Sequence, residues 1–586
     1  MDKKSWLLLS KETKRNFSDS TWIPLRASQT ETEGRVTEVP YKEQYFGSGS
    51  AAFPPSSVSR ADKFGWNDLG PGRSVLPHAY QDGNYSPVEV YQYNDNDPMG
   101  VSLVFDHPQP VIGGHRWIVN PDLLISLRLI KEGDAWVRPE EDFTTVIREH
   151  FNKEGEHSLI EIKRDHLLDY LAARNLNLRI AYYRQRVENV PDLGTSDYAG
   201  LTSIQANQDG GRYEILIRTL EDVYGGSWAS FRAWRNDVDE EEDAPSMGPE
   251  TNENTEFESS TGYRSGYPGV RVEAEFWKEE WINHKKQSLR VRGDTNPNLP
   301  SYIIETDGAR MSSAELNDED IGKWLWFRTE VINTLLSHRG FSLDWFTMET
   351  GAIFSTSGYS IHFGLNSADL VTVYAHDIAR LPAWEQHIWS AHNVVPDGKV
   401  SYELLASQVR TQPASTHPPE KIILQVMNML ETSFKEHYGA NLFTHPLKKE
   451  EFSHQISRFK STDRPSLLRL AKDLIRVFSD RIDVTELRKL STNKNKDQLK
   501  ANKLLQDLLA KEIGEVEARR VMGPIFGTYD MRVGDAHPTG SGIDDAIKLA
   551  NIDPSDSPLR QGQALIKNFS SALWQIGQGL FAGKEA

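Results

Sequence analysis

The sequence predicts an α+β protein of several domains, with mixed α/β N-terminal and central regions and an all-α helical bundle at the C-terminus. Three observations predict it. At 586 residues the chain is longer than one ordinary core organises, and about three or four units are expected. Strand-like alternation recurs up to residue 417, as in His157-Ser158-Leu159-Ile160-Glu161-Ile162-Lys163. From Pro418 onward alternation is nearly absent, and apolar residues return every three or four positions instead.

The elements follow in chain order. Lys3 and Lys4 precede the apolar patch Trp6-Leu7-Leu8-Leu9, which Lys11 and Glu12 end too early for a secretory signal. Residues 1–62 read as an N-terminal arm and linker, because 28–59 is polar and small, with Gly47-Ser48-Gly49-Ser50 followed by Pro54-Pro55. Residues 63–235 read as a mixed α/β domain. In it a strand at 157–163 leads to a helix capped by Asp165 and running through Leu167, Leu168, Tyr170, Leu171 and Ala172. Leu176 to Tyr183 then alternates again as a strand.

Residues 236–269, with Asp237-Val238-Asp239-Glu240-Glu241-Glu242-Asp243, read as an acidic flexible insertion. A second mixed α/β domain is expected over 270–417. It opens on the strand Val270 to Trp277, continues in a helix from Trp324 to Leu336, and holds another helix entered through Pro382. Residues 418–586 complete the chain as the bundle, on apolar stripes such as Leu467-Leu468, Ala471, Leu474-Ile475 and Phe478.

Composition excludes several chemistries. The chain has no cysteine, which removes disulfides, thiolate catalysis and Cys-ligated zinc or iron–sulfur sites, and fits a reducing, cytoplasmic setting. No stretch approaches the roughly 18 apolar residues of a membrane span, so no membrane partner is expected. The net charge of −18 argues against nonspecific coating of nucleic acid by the whole surface. The charge is uneven, however: from Pro418 on, 25 Lys and Arg face 22 Asp and Glu, so the excess of acid lies upstream. There is no Gly-rich phosphate loop ending in Lys-Ser/Thr, no His-Glu-x-x-His and no Gly-x-Ser-x-Gly. His376, His387 and His392 are not spaced to share one helical face as metal ligands. No cofactor and no metal are expected.

One stretch of the bundle carries candidate chemistry: Tyr529-Asp530-Met531-Arg532-Val533-Gly534-Asp535-Ala536-His537-Pro538. Arg532 and His537, four residues between them, resemble the Arg-x(4–6)-His signature of HEPN-domain ribonucleases. The spacing recurs at Arg73–His78, Arg380–His387 and Arg410–His417, and the helical, relatively basic surroundings single out the C-terminal pair. The resemblance implies metal-independent RNA cleavage at a site shared by two copies. His537 would be the general acid or base toward the 2′-hydroxyl, and Arg532 would grip the phosphate with its planar fork of donors. Asp535 and Tyr529 would orient the pair. On a straight helix five residues span about 140°, so convergence needs the helix to end between them, which Gly534 or Pro538-Thr539-Gly540 would provide.

A second resemblance is to PD-(D/E)xK nucleases, through Glu161-Ile162-Lys163 on a strand before a helix, with Asp142 upstream. It implies Mg²⁺ held by carboxylates and a water oriented by lysine. The leading expectation is an intracellular RNA-cleaving effector, in stress or phage defence, whose partners are RNA and a second copy. The opposing one is a non-catalytic scaffold or sensor that binds a partner protein.

Overall fold

The computed structural model describes residues 3–72, 78–81, 84–87, 90–94, 97–108, 115–225, 227–235, 256–264, 266–412, 414–445, 456–536 and 540–581. The chain divides into two compact units, Met1–Pro139 with Phe143–Thr295, and Glu140–Asp142 with Asn296–Ala586.

The first unit is built on an antiparallel sheet. Its main path runs Ile204–Gln208, Gly211–Thr219, Val270–Ile282, Asn177–Val190, Tyr41–Phe53, Trp22–Glu33, His157–Lys163, Thr144–Phe151, Ala135–Arg138 and Ile130–Glu132. The polar run at 28–59 is therefore not an arm, since most of it forms the two strands at the middle of the sheet. Its glycines are small for a packing reason. A Cβ on Gly49 would lie 1.7 Å from the Leu69 carbonyl oxygen, and one on Gly47 would lie 2.3 Å from the Trp66 ring. Residues 64–70 come down onto those strands, so linker-like composition is here a record of close backbone approach.

The strand, helix, strand unit stands as the pattern predicts, at His157–Lys163, Arg164–Arg174 and Asn177–Val190. Only the cap differs: Lys163 is the N-cap residue and Asp165 falls in the first turn, where its charge still complements the helix dipole. Leu167, Tyr170 and Leu171 of this helix join Ile23, Leu25, Ile160, Ile162, Leu178 and Ile180 in one core. The apolar patch near the start is also used, with Leu7 and Leu9 fully buried. Val270–Ile282, which alternation alone makes the opening of a new domain, pairs with Asn177–Val190 from Val190↔Val270 to Leu178↔Ile282. Within the acidic stretch, Glu256–Arg264 forms a strand paired with Ser227–Arg235, while 236–255 lies outside the described residues.

The second unit contains a six-stranded antiparallel sheet in the order Ser342–Trp345, Thr350–Phe354, Ser360–Leu365, Val371–Tyr374, Trp324–Phe327, Asn393–Val394. Trp324–Phe327 is a strand and the helix starts only at Glu330. Leu325 and Phe327 are buried with Trp324 and Trp326 half-exposed, a period of two that a run of four apolar residues hides. The helix at Ala383–His392 forms as expected, with Pro382 as its N-cap.

The bundle's long helices are Pro419–Tyr438, Arg464–Val477, Ala501–Ile513, Glu515–Ala536, Gly540–Leu549 and Pro558–Phe581. Their stripes meet in one core that includes Met427, Leu430, Leu467, Leu474, Leu505, Leu508, Met522, Ile525, Leu565 and Phe569. The protein is thus a mixed α+β chain with a helical C-terminal region. Among the described residues, no helix is long and apolar enough to cross a membrane.

Candidate functional site

Arg532 lies in the helix Glu515–Ala536, whose course is set by three residues upstream. Pro524 removes one backbone donor inside the helix, and the Thr528 hydroxyl donates to the Pro524 carbonyl at 2.7 Å. Gly527 lets the next helix come close: a Cβ there would lie 2.4 Å from the Ala550 nitrogen and 2.8 Å from the Ala546 carbonyl oxygen. Met531 is fully buried in the bundle core. One residue further round the helix, about 100° on, Arg532 emerges at the surface, its side chain 34% exposed.

Its partner is Asp480, in the short 3₁₀ turn Ser479–Arg481 that follows the helix Arg464–Val477. Arg532 Nη1 donates to Asp480 Oδ1 at 2.7 Å. Both side chains are partly open to water, so this pair is worth about 0–1 kcal/mol and leaves most of the guanidinium's donors for other acceptors.

The remaining expected residues are placed as follows. Tyr529 packs half-buried against the bundle core and makes no hydrogen bond to Arg532 among the described residues. Asp535 lies in the last turn of the helix, and its side chain is outside the described set. His537, with 538 and 539, also lies outside the described residues, between the helix ending at Ala536 and the one beginning at Gly540. Gly534 does not stop the helix, which runs through it to Ala536; one glycine in a helix costs about 1 kcal/mol, too little to end it. The helix end thus follows Arg532 by a full turn. Asp480 was not legible in the sequence, since it is one aspartate 52 positions away with no patterned neighbour.

The same helices frame a groove of about 420 Å³ between Glu515–Ala536, Gly540–Leu549 and Pro558–Phe581. Arg519, Arg520 and Lys548 line it, all exposed, with Asn551, Asn568 and Gln575. Arg520 is tied to Glu517 at 2.6 Å and 3.0 Å. Arg519 lies 13 residues before Arg532, about 20 Å along the helix axis.

The residues of the second nuclease pattern have separate partners. Glu161 Oε1 is 3.2 Å from His150 Nε2 and 3.6 Å from Arg148 Nη1. Asp142 accepts from His338 Nδ1 at 2.7 Å and from the Arg339 N–H at 3.2 Å. Among the described residues no group of three or more His, Asp or Glu side chains is placed to hold a metal ion. No protein-family model matches the chain, and no curated protein or solved structure matches it.

Proposed function

We propose that the C-terminal helical region is a metal-independent RNA-cleaving domain, working in the cytoplasm as an effector of stress or phage defence. The observation that carries this reading is the state of Arg532. Its guanidinium stands one turn from a helix end, is accessible to solvent, and is engaged by one surface carboxylate that a phosphate oxygen can replace at little cost. His537 follows that helix end directly in sequence. In the reaction, His537 takes the proton of a ribose 2′-hydroxyl or returns one to the leaving oxygen, and Arg532 neutralises the extra charge on the phosphorus centre. The groove of Arg519, Arg520 and Lys548 supports the reading as a place for flanking phosphates.

The test compares wild type with Arg532→Ala and His537→Ala on mixed RNA and DNA, with and without EDTA. Cleavage of RNA that survives EDTA and disappears in both variants is the expected result. Cleavage that needs Mg²⁺ and ignores both changes would turn attention to Glu161 and Lys163. Absence of cleavage by the folded protein would select the second reading, a non-catalytic scaffold or sensor.

A further inference from the structure

A second site is built into the sheet of the N-terminal unit. On the strand Asn177–Val190, Leu178, Ile180 and Tyr182 point into the core, and the next two positions on that face are Arg184 and Arg186. The register sets Arg184 opposite Phe46, and Phe46 opposite Gln29 on the following strand. One row further along, Arg186 faces Gln44 and Gln44 faces Glu31. A bulge between Pro24 and Arg26 shifts the alternation, so Trp22 and Pro24 border the same space as Gln29 and Glu31.

The segment before the first strand closes one side. The Glu280 carboxylate accepts hydrogen bonds from the N–H groups of Phe17 at 3.2 Å and Ser18 at 2.9 Å, and Arg164 Nε donates to the Ser18 carbonyl at 2.6 Å. The result is a cavity of about 290 Å³ walled by Arg15, Phe17, Trp22, Phe46, Glu161 and Arg184.

The charges around it are not equally satisfied. Arg186 donates to Glu12 at 2.7 Å, Glu161 meets His150 and Arg148, and Glu31 accepts from the Gln44 amide. Arg184 differs. Its guanidinium lies over the rings of Phe46 at 4.3 Å and Phe17 at 5.9 Å, and its Nε is buried with no hydrogen-bond partner among the described residues. Burial pushes its pKa down to about 10, with Glu12 drawing it back up and Arg15 and Arg186 adding repulsion. A largely buried cation that makes no ion pair among the described residues is costly, and such local cost concentrates where a protein binds a counter-charge.

We propose that this cavity binds a small phosphate ester of about nucleoside-monophosphate size, with the phosphate on Arg184 and Arg15. The planar donor fork of Arg184 suits a phosphate, and the exposed Arg15 stands close enough to add a second cation. Across the cavity, Glu31, Gln44 and Glu161 offer acceptors for hydroxyl or amino groups, and the aromatic walls suit a flat ring or a sugar face. This site stands independently of the proposal for the C-terminal helices.

The experiment is calorimetric titration of the full chain with AMP, GMP and glucose 6-phosphate, against adenosine, glucose and inorganic phosphate. At least one ester is expected to bind, with its phosphate-free parent at least about tenfold weaker. Tighter binding of AMP or GMP identifies a nucleoside ligand, and tighter binding of glucose 6-phosphate a sugar. Arg184→Met is expected to weaken the ester about 10- to 100-fold while leaving the thermal midpoint of the free protein unchanged or raised. Gln29→Trp, which fills the cavity from a half-buried strand position and keeps the charge, is expected to abolish binding. The proposal is overturned if no ester binds, if inorganic phosphate binds as tightly as the esters, if both variants bind like wild type, or if Arg184→Met lowers the midpoint.

Discussion

Arg458 offers the sharpest test of how the second unit is held together. It is 1% exposed, and Nε and Nη2 grip the Glu420 carboxylate at 2.8 Å and 2.6 Å. Its Nη1 donates to the Met348 carbonyl at 3.0 Å, and the guanidinium lies 4.2 Å from the centre of the Trp345 ring. Glu420 is in the first turn of the helix Pro419–Tyr438, and Trp345 ends a strand of the six-stranded sheet, so one side chain joins helix to sheet. Arg458→Met removes the cation and leaves a buried carboxylate uncompensated, a loss of about 3–5 kcal/mol. The double variant Arg458→Met with Glu420→Gln removes both charges, and is expected to recover at least half of that loss. Urea unfolding followed by tryptophan fluorescence reads the effect directly, because Trp345 stacks on Phe459 at 5.3 Å beside the pair. A cost below about 1 kcal/mol for the single variant, the range of an exposed pair, would refute the reasoning. So would a double variant as unstable as the sum of the singles.

Three further outcomes are expected. Burial pushes the Glu149 carboxyl up, but hydrogen bonds from His157, Lys131 and Trp136 outweigh it and hold its pKa down at about 2. Its contribution, about 2–3 kcal/mol, is therefore present above the ordinary value of 4.5 and is lost as pH falls from there toward 2; Glu149→Gln should flatten the pH dependence of unfolding in that window. Gly527→Val should destabilise the bundle by at least about 2 kcal/mol, since the added Cβ would meet backbone, at 2.4 Å from the Ala550 nitrogen and 2.8 Å from the Ala546 carbonyl oxygen, and an unchanged thermal midpoint would contradict that contact. Arg532→Ala should change stability by less than about 1 kcal/mol, so its circular-dichroism melt should overlay wild type, and any loss of RNA cleavage is then chemical rather than structural.

Much of the fold was legible because the relevant pattern is local. The strand at His157–Lys163, its following helix and the strand from Asn177 carry their own periodicity, and so do the helices beyond Pro418. The misread segments are those whose composition serves a distant contact. Gly47 and Gly49 look like linker until Trp66 and Leu69 are set against them. Trp324–Phe327 looks helical until burial separates Leu325 and Phe327 from their neighbours. Of the candidate site, Arg532 could be named from sequence, but Asp480 could not. Arg184 did leave a signal: it continues the apolar face of Leu178, Ile180 and Tyr182 with a charge, a break in pattern that motif searching passes over.

The sequence by itself determined the class of the protein, because side-chain periodicity and composition act over a few residues: α+β, without cysteine, ending in a helical bundle. Only the tertiary structure decided which strands share a sheet, that Val270–Ile282 belongs beside Asn177–Val190, and that Arg458 finds Glu420 while Arg184 Nε finds no hydrogen-bond partner among the described residues. Those outcomes depend on pairing between segments tens of residues apart or more, and the free energy of desolvating a charge exists only once its surroundings have been assembled.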